Sequence, residues 1–86
     1  MTQTARRIVE ILERELEAEV EMTDESHKHA THVGAKGGGG HYVVVVRSRK
    51  FAGLAPLARQ RLVYQALGSM MDREIHALSM RCEVLP

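Results

Sequence analysis

Four consecutive valines at residues 43–46 restrict the fold of this chain more than any other feature of its sequence. Valine is β-branched, so it loses rotamer freedom in a helix and packs well on a pleated sheet, and the run predicts a β-strand over residues 41–49. Consecutive strand residues point to opposite faces, so an apolar side chain at every position predicts cover on at least part of both faces. We therefore expect this strand to lie in the middle of a sheet.

A helix that leads directly into another strand follows. Phe51 is expected to anchor the preceding loop, and Pro56 suits a first helical turn, where its missing N–H costs nothing. Apolar residues then recur at spacings of three and four as far as Met70, which gathers them on one helix face. From Ile75 the period becomes two, which is typical of a strand over residues 75–85. This alternation assigns five residues to the strand face that packs against the helices: His76, Leu78, Met80, Cys82 and Val84.

The first quarter of the chain predicts one more helix and one more strand. Thr4 is the expected N-cap, and an apolar stripe at helical spacing runs from Ala5 to Leu16. Val20 and Met22 alternate with polar residues, as in a short, partly exposed strand. The predicted fold is therefore α+β, one domain over residues 1–86 in the order α-β-β-α-β. Its mixed three-stranded sheet has an antiparallel first pair, a parallel second pair and both helices on one face.

Length and composition narrow the class of protein. A chain of 86 residues has room for one modest core. The chain has one cysteine and no secretory segment, and none of its apolar runs approaches the roughly 20 residues of a membrane span. These features favour a cytoplasmic protein without a membrane partner. The sequence contains no nucleophile elbow, P-loop lysine or CxxC pair, so we expect no enzymatic activity.

The net charge of +1 hides a segregation of charge along the chain. Residues 1–26 carry three arginines against seven glutamates and one aspartate, whereas residues 27–64 carry seven basic residues and no acidic one. This middle segment predicts a basic surface for nucleic acid or an acidic partner; a solvated face neutralised by the first helix is the alternative. The candidate contact residues are Arg47, Arg49, Lys50, Arg59 and Arg61.

Histidine is the residue type most suited to carry chemistry in this chain. Four of the five histidines surround a loop that ends in four glycines, namely His27, His29, His32 and His41. Neutral imidazole is a common ligand of zinc, copper and iron. Because the last two strands are predicted to be parallel, His76 should lie at the same end of the sheet as His41. The sequence thus predicts a histidine cluster there, with surface histidines that bind nothing as the alternative. Cys82 lies about 20 Å farther along the strand from His76 and is expected to be a small buried residue rather than a ligand.

The order of these motifs resembles the BolA-like family over residues 5–82. The matching stretches are Glu25-Ser26 followed by His29, Gly40-His41-Tyr42-Val43 at the start of a strand, Phe51 with Leu54, Arg59-x-Arg61-x-Val63-Tyr64 with Leu67, and His76-Ala77-Leu78. The resemblance implies a fold similar to type II KH domains, in agreement with the element order reached above.

The resemblance also implies a function. BolA-like proteins partner monothiol glutaredoxins in heterodimers that bridge a 2Fe–2S cluster, used in iron–sulfur assembly, trafficking or iron-linked regulation. Glutaredoxin and glutathione would supply thiolates, and this chain would supply His76 and His29, with His27, His32 and His41 as alternatives to the latter. The isolated chain is expected to be a monomer or weak homodimer that holds no cluster tightly. DNA-binding transcriptional regulation through the five basic residues is the alternative function.

Overall fold

The computed structural model describes residues 1–26 and 39–86. Its helices are α1 (Gln3–Leu16), α2 (Pro56–Leu67) and the single-turn α3 (Met70–Arg73), and its strands are β1 (Glu19–Asp24), β2 (Gly40–Arg47) and β3 (Ile75–Glu83). A short 3₁₀ helix, Arg49–Phe51, precedes α2. The predicted α+β class and the order of the main elements are confirmed. Within the described ranges, no helix is long and apolar enough to cross a membrane.

The valine strand β2 lies in the middle of the sheet, as predicted. It pairs antiparallel with β1 and parallel with β3, in the order β1-β2-β3. Val44 and Val46 are buried on the inner face, whereas Val43 and Val45 on the outer face are half-buried. The valine run therefore packs into the core with alternate residues only.

The core lies between the inner face of the sheet and the two long helices. From α1, Ala5, Ile8, Leu12 and Leu16 are buried at the predicted helical spacing, and from α2, Val63 and Leu67 are buried. The first helix contacts β1 and α2, and the second also contacts β3. Phe51 is fully buried and anchors the loop before α2, as the sequence predicted.

A buried serine joins the ends of α1 and β2. Ser48 is completely shielded from solvent, and its hydroxyl donates to the Leu16 carbonyl at 2.6 Å. The same oxygen accepts the backbone N–H of Lys50 at 3.0 Å. One hydroxyl thus satisfies a terminal carbonyl of α1 and caps the 3₁₀ helix.

Two local predictions are wrong. The N-cap of α1 is Thr2 rather than Thr4, because the helix begins at Gln3 and the Thr2 hydroxyl accepts the Ala5 N–H at 3.2 Å. The helical pattern that was predicted to run from Pro56 as far as Met70 is divided, because α2 ends at Leu67 and Met70 begins the separate single-turn helix α3. Gly68 ends α2 with φ +54°, and the following turn directs Met70 into the core.

The predicted orientation of His76 is also wrong. In the parallel register Gly40 pairs with Ile75 but His41 pairs with Ala77, so His76 is an extra residue in β3, as in a β-bulge. This extra residue reverses the alternation of inward-facing and outward-facing side chains along β3. Ile75 is 3% exposed, whereas the His76 side chain is exposed to solvent. Val84 lies beyond β3 and is exposed as well, while Leu78, Met80 and Cys82 pack against the core as predicted.

Candidate functional site

Two histidines meet where β2 and β3 begin. The ring centroids of His41 and His76, which we call the histidine pair, are 4.9 Å apart, with the ring planes tilted by 38°. Parallel strands bring their starting residues to the same end of a sheet, and here the register places Ala77 directly beside His41. The predicted proximity of these two histidines is confirmed.

The end of β1 holds the backbone of His41 in place. The His41 N–H donates to the Ser26 hydroxyl oxygen at 3.0 Å, and the His41 carbonyl accepts the Glu25 N–H at 2.8 Å. Asp24 in turn accepts the backbone N–H of Ser26 at 2.9 Å. This role of Ser26 was not predicted from the sequence, although a serine two residues after a short strand is a common turn-forming signal.

The last two glycines of the glycine run bring the backbone close to β3. Gly40 donates its N–H to the Glu74 carbonyl at 3.0 Å. Gly39 has φ +84°, and a Cβ there would lie 3.1 Å from the Cβ of His76 and 3.2 Å from its backbone nitrogen. A side chain at Gly39 would therefore press on His76, and a conformation with positive φ favours glycine in any case.

The histidine pair offers two imidazoles to a metal from the described part of the chain. His76 is exposed and His41 is half-buried, so a ligand can approach from solvent. No group of three or more His, Cys, Asp or Glu side chains suited to a metal occurs within residues 1–26 and 39–86. The donor set therefore fits a metal centre only if further ligands come from elsewhere. His27, His29 and His32 lie outside the described residues.

Cys82 is remote from the histidine pair, as the strand length predicted. Its register partner is Val46, near the far end of β2. Its side chain is half-buried against the core, and this burial raises the pKa of the thiol, an effect that the nearby Arg59 guanidinium opposes. The neutral, packed thiol has the properties of a small core residue.

Four of the five candidate nucleic-acid contacts lie at the opposite end of the sheet from the histidine pair. The Arg49 guanidinium donates to the Pro86 carbonyl at 3.1 Å, and the Lys50 ammonium donates to the Glu15 carbonyl at 3.2 Å. Arg59 donates to the Leu54 carbonyl at 2.9 Å. The acceptors of Lys50 and Arg59 are uncharged peptide carbonyls, and neither side chain forms an ion pair with a carboxylate side chain within residues 1–26 and 39–86.

Arg47 differs from these residues because carboxylates neutralise it. It forms ion pairs with Glu21 at 2.5 Å and with Glu83 at 3.0 Å, one from each neighbouring strand. The hydrogen bond to Glu21 is the main cause of a raised pKa at the Arg47 guanidinium. Arg61 is the fifth candidate and lies exposed on α2.

Comparison with known proteins identifies the family. The BolA-like protein family model matches residues 12–84. The chain is 40% identical over 79 residues to protein BOLA1, chloroplastic, of Arabidopsis thaliana, a match that covers 87% of this chain and 49% of that protein. It is 38% identical over 73 residues to BolA-like protein 1 of Mus musculus, with 84% and 51% covered. This chain thus spans about half the length of these two relatives.

This chain covers a larger share of a bacterial relative than of these two proteins. The DNA-binding transcriptional regulator BolA of Vibrio cholerae is 36% identical over 77 residues, which cover 84% of this chain and 70% of that protein.

Solved structures agree with the family match. The BolA domain of SufE1 from Arabidopsis thaliana superposes with a TM-score of 0.83 at 32% identity, over 98% of this chain and 94% of that one. BolA1 from Arabidopsis thaliana superposes with a TM-score of 0.81 at 36% identity, with the same two coverages. In sequence and in fold alike, this chain belongs to the BolA-like protein family.

Proposed function

We propose that this protein is a non-enzymatic partner of a monothiol glutaredoxin and that it helps to hold a bridging 2Fe–2S cluster through His76. The observation that carries the proposal is the 4.9 Å approach of the His41 and His76 rings at an exposed end of the sheet. Two imidazoles form an incomplete ligand set, which suits a metal centre shared with a second molecule. Membership of the BolA-like family supports the choice of partner through the resemblance described above.

His76 is the first ligand because its side chain is exposed and the bulge in β3 turns it away from the core. The second ligand is His29 by resemblance to the family, and His41 is the alternative that lies beside His76. His27 and His32 remain further alternatives. When bound, such a cluster would supply one-electron redox chemistry, and imidazole in place of thiolate on one iron raises its potential. The protein's own part is to present these imidazoles on a strand start fixed by Ser26 and Gly39.

Reconstitution with a partner tests this proposal. The full chain is combined with a monothiol glutaredoxin, iron, sulfide and glutathione, and visible absorption and circular dichroism are recorded. We expect His76→Ala to change the spectrum of the heterodimer or prevent its formation. Of His29→Ala and His41→Ala, the variant that changes the spectrum identifies the second ligand.

Cys82→Ala is the matched control, because it removes another potential ligand from the far end of β3. It should leave the spectrum unchanged. A heterodimer spectrum that is the same for wild type and His76→Ala would show that the ligand assignment is wrong.

DNA binding is the second candidate function, supported by the Vibrio cholerae relative, a DNA-binding transcriptional regulator, and by the basic side chains near the end of the sheet opposite the histidine pair. The surface would consist of Arg49, Lys50, Arg59 and Arg61, without the neutralised Arg47. Phosphate contacts weaken steeply as salt rises. Fluorescence anisotropy with duplex DNA should therefore show a strong salt dependence that Arg61→Gln reduces, and salt-independent binding would exclude this surface.

A further inference from the structure

A cavity opens between the first turn of α1, the start of β2 and the end of α3. Its volume of about 480 Å³ falls within the range of small-molecule sites. Thr2 and Thr4 line it from α1, Tyr42 from β2 and Arg73 from α3. Consecutive strand residues point to opposite faces of a sheet, so the Tyr42 side chain lies on the face opposite to the His41 imidazole. The cavity is therefore distinct from the histidine pair.

The Tyr42 hydroxyl is a buried polar group that lacks a partner. The residue is 6% exposed, and its hydroxyl forms no hydrogen bond within residues 1–26 and 39–86. Every fully shielded side-chain oxygen or nitrogen of these ranges has a partner, so the hydroxyl oxygen is not fully shielded. Because Tyr42 lines the cavity, this oxygen opens into it. Buried tyrosine hydroxyls are nearly always hydrogen-bonded, so a group bound in the cavity would complete this one.

The first turn of α1 presents backbone donors at the same place. The Thr2 hydroxyl accepts the Ala5 N–H at 3.2 Å, and the Thr2 carbonyl accepts the Arg6 N–H at 2.9 Å. The N–H groups of Gln3 and Thr4 have no partner among the described residues, as is usual at the start of a helix. The positive end of the helix dipole also lies here. This end of α1 therefore favours an anion.

Two side chains add further donors. The Ser26 hydroxyl accepts the His41 N–H at 3.0 Å, and its own hydrogen has no acceptor in the described part of the chain. Arg73 is exposed and forms no ion pair with any residue of the two described ranges. A Cβ at Gly40 would collide with the hydroxyl oxygens of Tyr42 and Ser26. Glycine at this position therefore keeps both hydroxyls accessible from the cavity.

The two carboxylates that line the cavity are already engaged. One oxygen of Asp24 accepts the Ser26 N–H at 2.9 Å, and the other accepts the Thr2 hydroxyl at 3.2 Å. Glu74 forms an ion pair with Arg7 of α1. The groups identified above as lacking a partner can all donate a hydrogen bond. Their common complement is a ligand group with several acceptor oxygens and a negative charge.

We propose that this cavity binds the oxyanion group of a small molecule, either a phosphate or a carboxylate. The N–H groups of Gln3 and Thr4 and the Tyr42 hydroxyl donate to its oxygens, as at other anion sites on helix N-termini. The Arg73 guanidinium supplies the opposite charge and forms two parallel hydrogen bonds equally well with either group. The proposal stands independently of the cluster function.

NMR titration of the ¹⁵N-labelled full chain at about pH 7 tests the proposal, with inorganic phosphate in one series and acetate in the other. Sodium chloride keeps the ionic strength constant, so that general screening does not change along the titration. The amide resonances of Gln3 and Thr4 should shift and saturate. The anion that saturates them at the lower concentration identifies the preferred group.

Two variants remove separate parts of the site. Tyr42→Phe removes the hydroxyl and keeps the ring, and Arg73→Gln removes the charge. Loss of a hydrogen bond to a charged group should weaken binding of the preferred anion about tenfold in each variant. Arg61→Gln is the matched control, because it removes the same charge from the exposed surface of α2. It should bind as wild type does, and circular dichroism establishes that each variant keeps the native fold.

Three results would overturn the proposal. The first is the absence of saturable shifts at Gln3 and Thr4 with both anions. The second is wild-type affinity in Tyr42→Phe, which would show that the buried hydroxyl does not contact the ligand. The third is equal weakening by Arg73→Gln and Arg61→Gln, which would reveal a general effect of net charge.

Discussion

Replacement of Gly40 by alanine should strongly destabilise the fold at the candidate site. A Cβ at Gly40 would lie 2.3 Å from the Tyr42 hydroxyl oxygen, 2.5 Å from its Cζ and 2.5 Å from the Ser26 hydroxyl oxygen. Tyr42 is 6% exposed, so a shift of its ring would disturb packing in the fold, and Ser26 is held by its hydrogen bond from His41. Overpacking costs about 1–3 kcal/mol. Weakening the hydrogen bond adds about 1 kcal/mol, for a total of about 2–4 kcal/mol.

Urea or thermal unfolding measures this loss. For a domain of this size, each kcal/mol lowers the melting temperature by about 4–8 °C, so Gly40→Ala should melt at least about 8 °C below wild type. Gly53→Ala is the control: no atom lies within 4 Å of its added Cβ, and the strain at φ +76° costs about 1 kcal/mol. Tyr42→Phe should recover part of the stability of Gly40→Ala, because it removes the atom in closest contact. A free energy of unfolding of Gly40→Ala within about 0.5 kcal/mol of wild type would refute the steric reasoning.

Three further predictions concern other parts of the fold. Thr2→Ala should lower the free energy of unfolding by about 1 kcal/mol through loss of the N-cap, whereas Thr4→Ala should change it by less than about 0.5 kcal/mol in the same urea titration. Ser48→Ala should cost about 1–3 kcal/mol, because the buried Leu16 carbonyl loses its donor, and thermal unfolding measures the loss. The raised pKa of Cys82 predicts slower alkylation than that of a free cysteine at mildly alkaline pH. Because the unfolded thiol ionises first, stability should fall as pH rises through the ordinary thiol range towards the higher folded pKa.

Strand identity and pairing could be predicted from the sequence because they depend on local periodicity and on connection length. The valine run defined β2, and a helical connection to the alternating segment from Ile75 required a parallel pair. The N-cap could not be predicted, because Thr2 and Thr4 are equally suitable residues two positions apart. The choice depends on a distant contact, the hydrogen bond from the Thr2 hydroxyl to Asp24 at 3.2 Å.

In the candidate site, too, some features could be predicted from the sequence and others could not. Parallel pairing was enough to predict that His41 and His76 meet, since it brings the two strand starts together. The direction of His76 was beyond sequence reasoning, because the bulge depends on how β3 aligns with β2. The neutralisation of Arg47 could not be predicted either, since Glu21 and Glu83 come beside it only when the sheet forms.

Because β3 contains one extra residue, the direction of the His76 side chain depends on the number of residues in that strand. Substitutions at Leu78 or Met80 can change how β3 packs without turning the histidine, because the reversal of alternation lies before them. Removal of the extra residue would instead restore regular pairing between β2 and β3 and would take the imidazole of His76 away with it, while leaving the rest of the strand in register. Gain or loss of the exposed imidazole is therefore open to a one-codon insertion or deletion, a route separate from the point substitutions that tune stability.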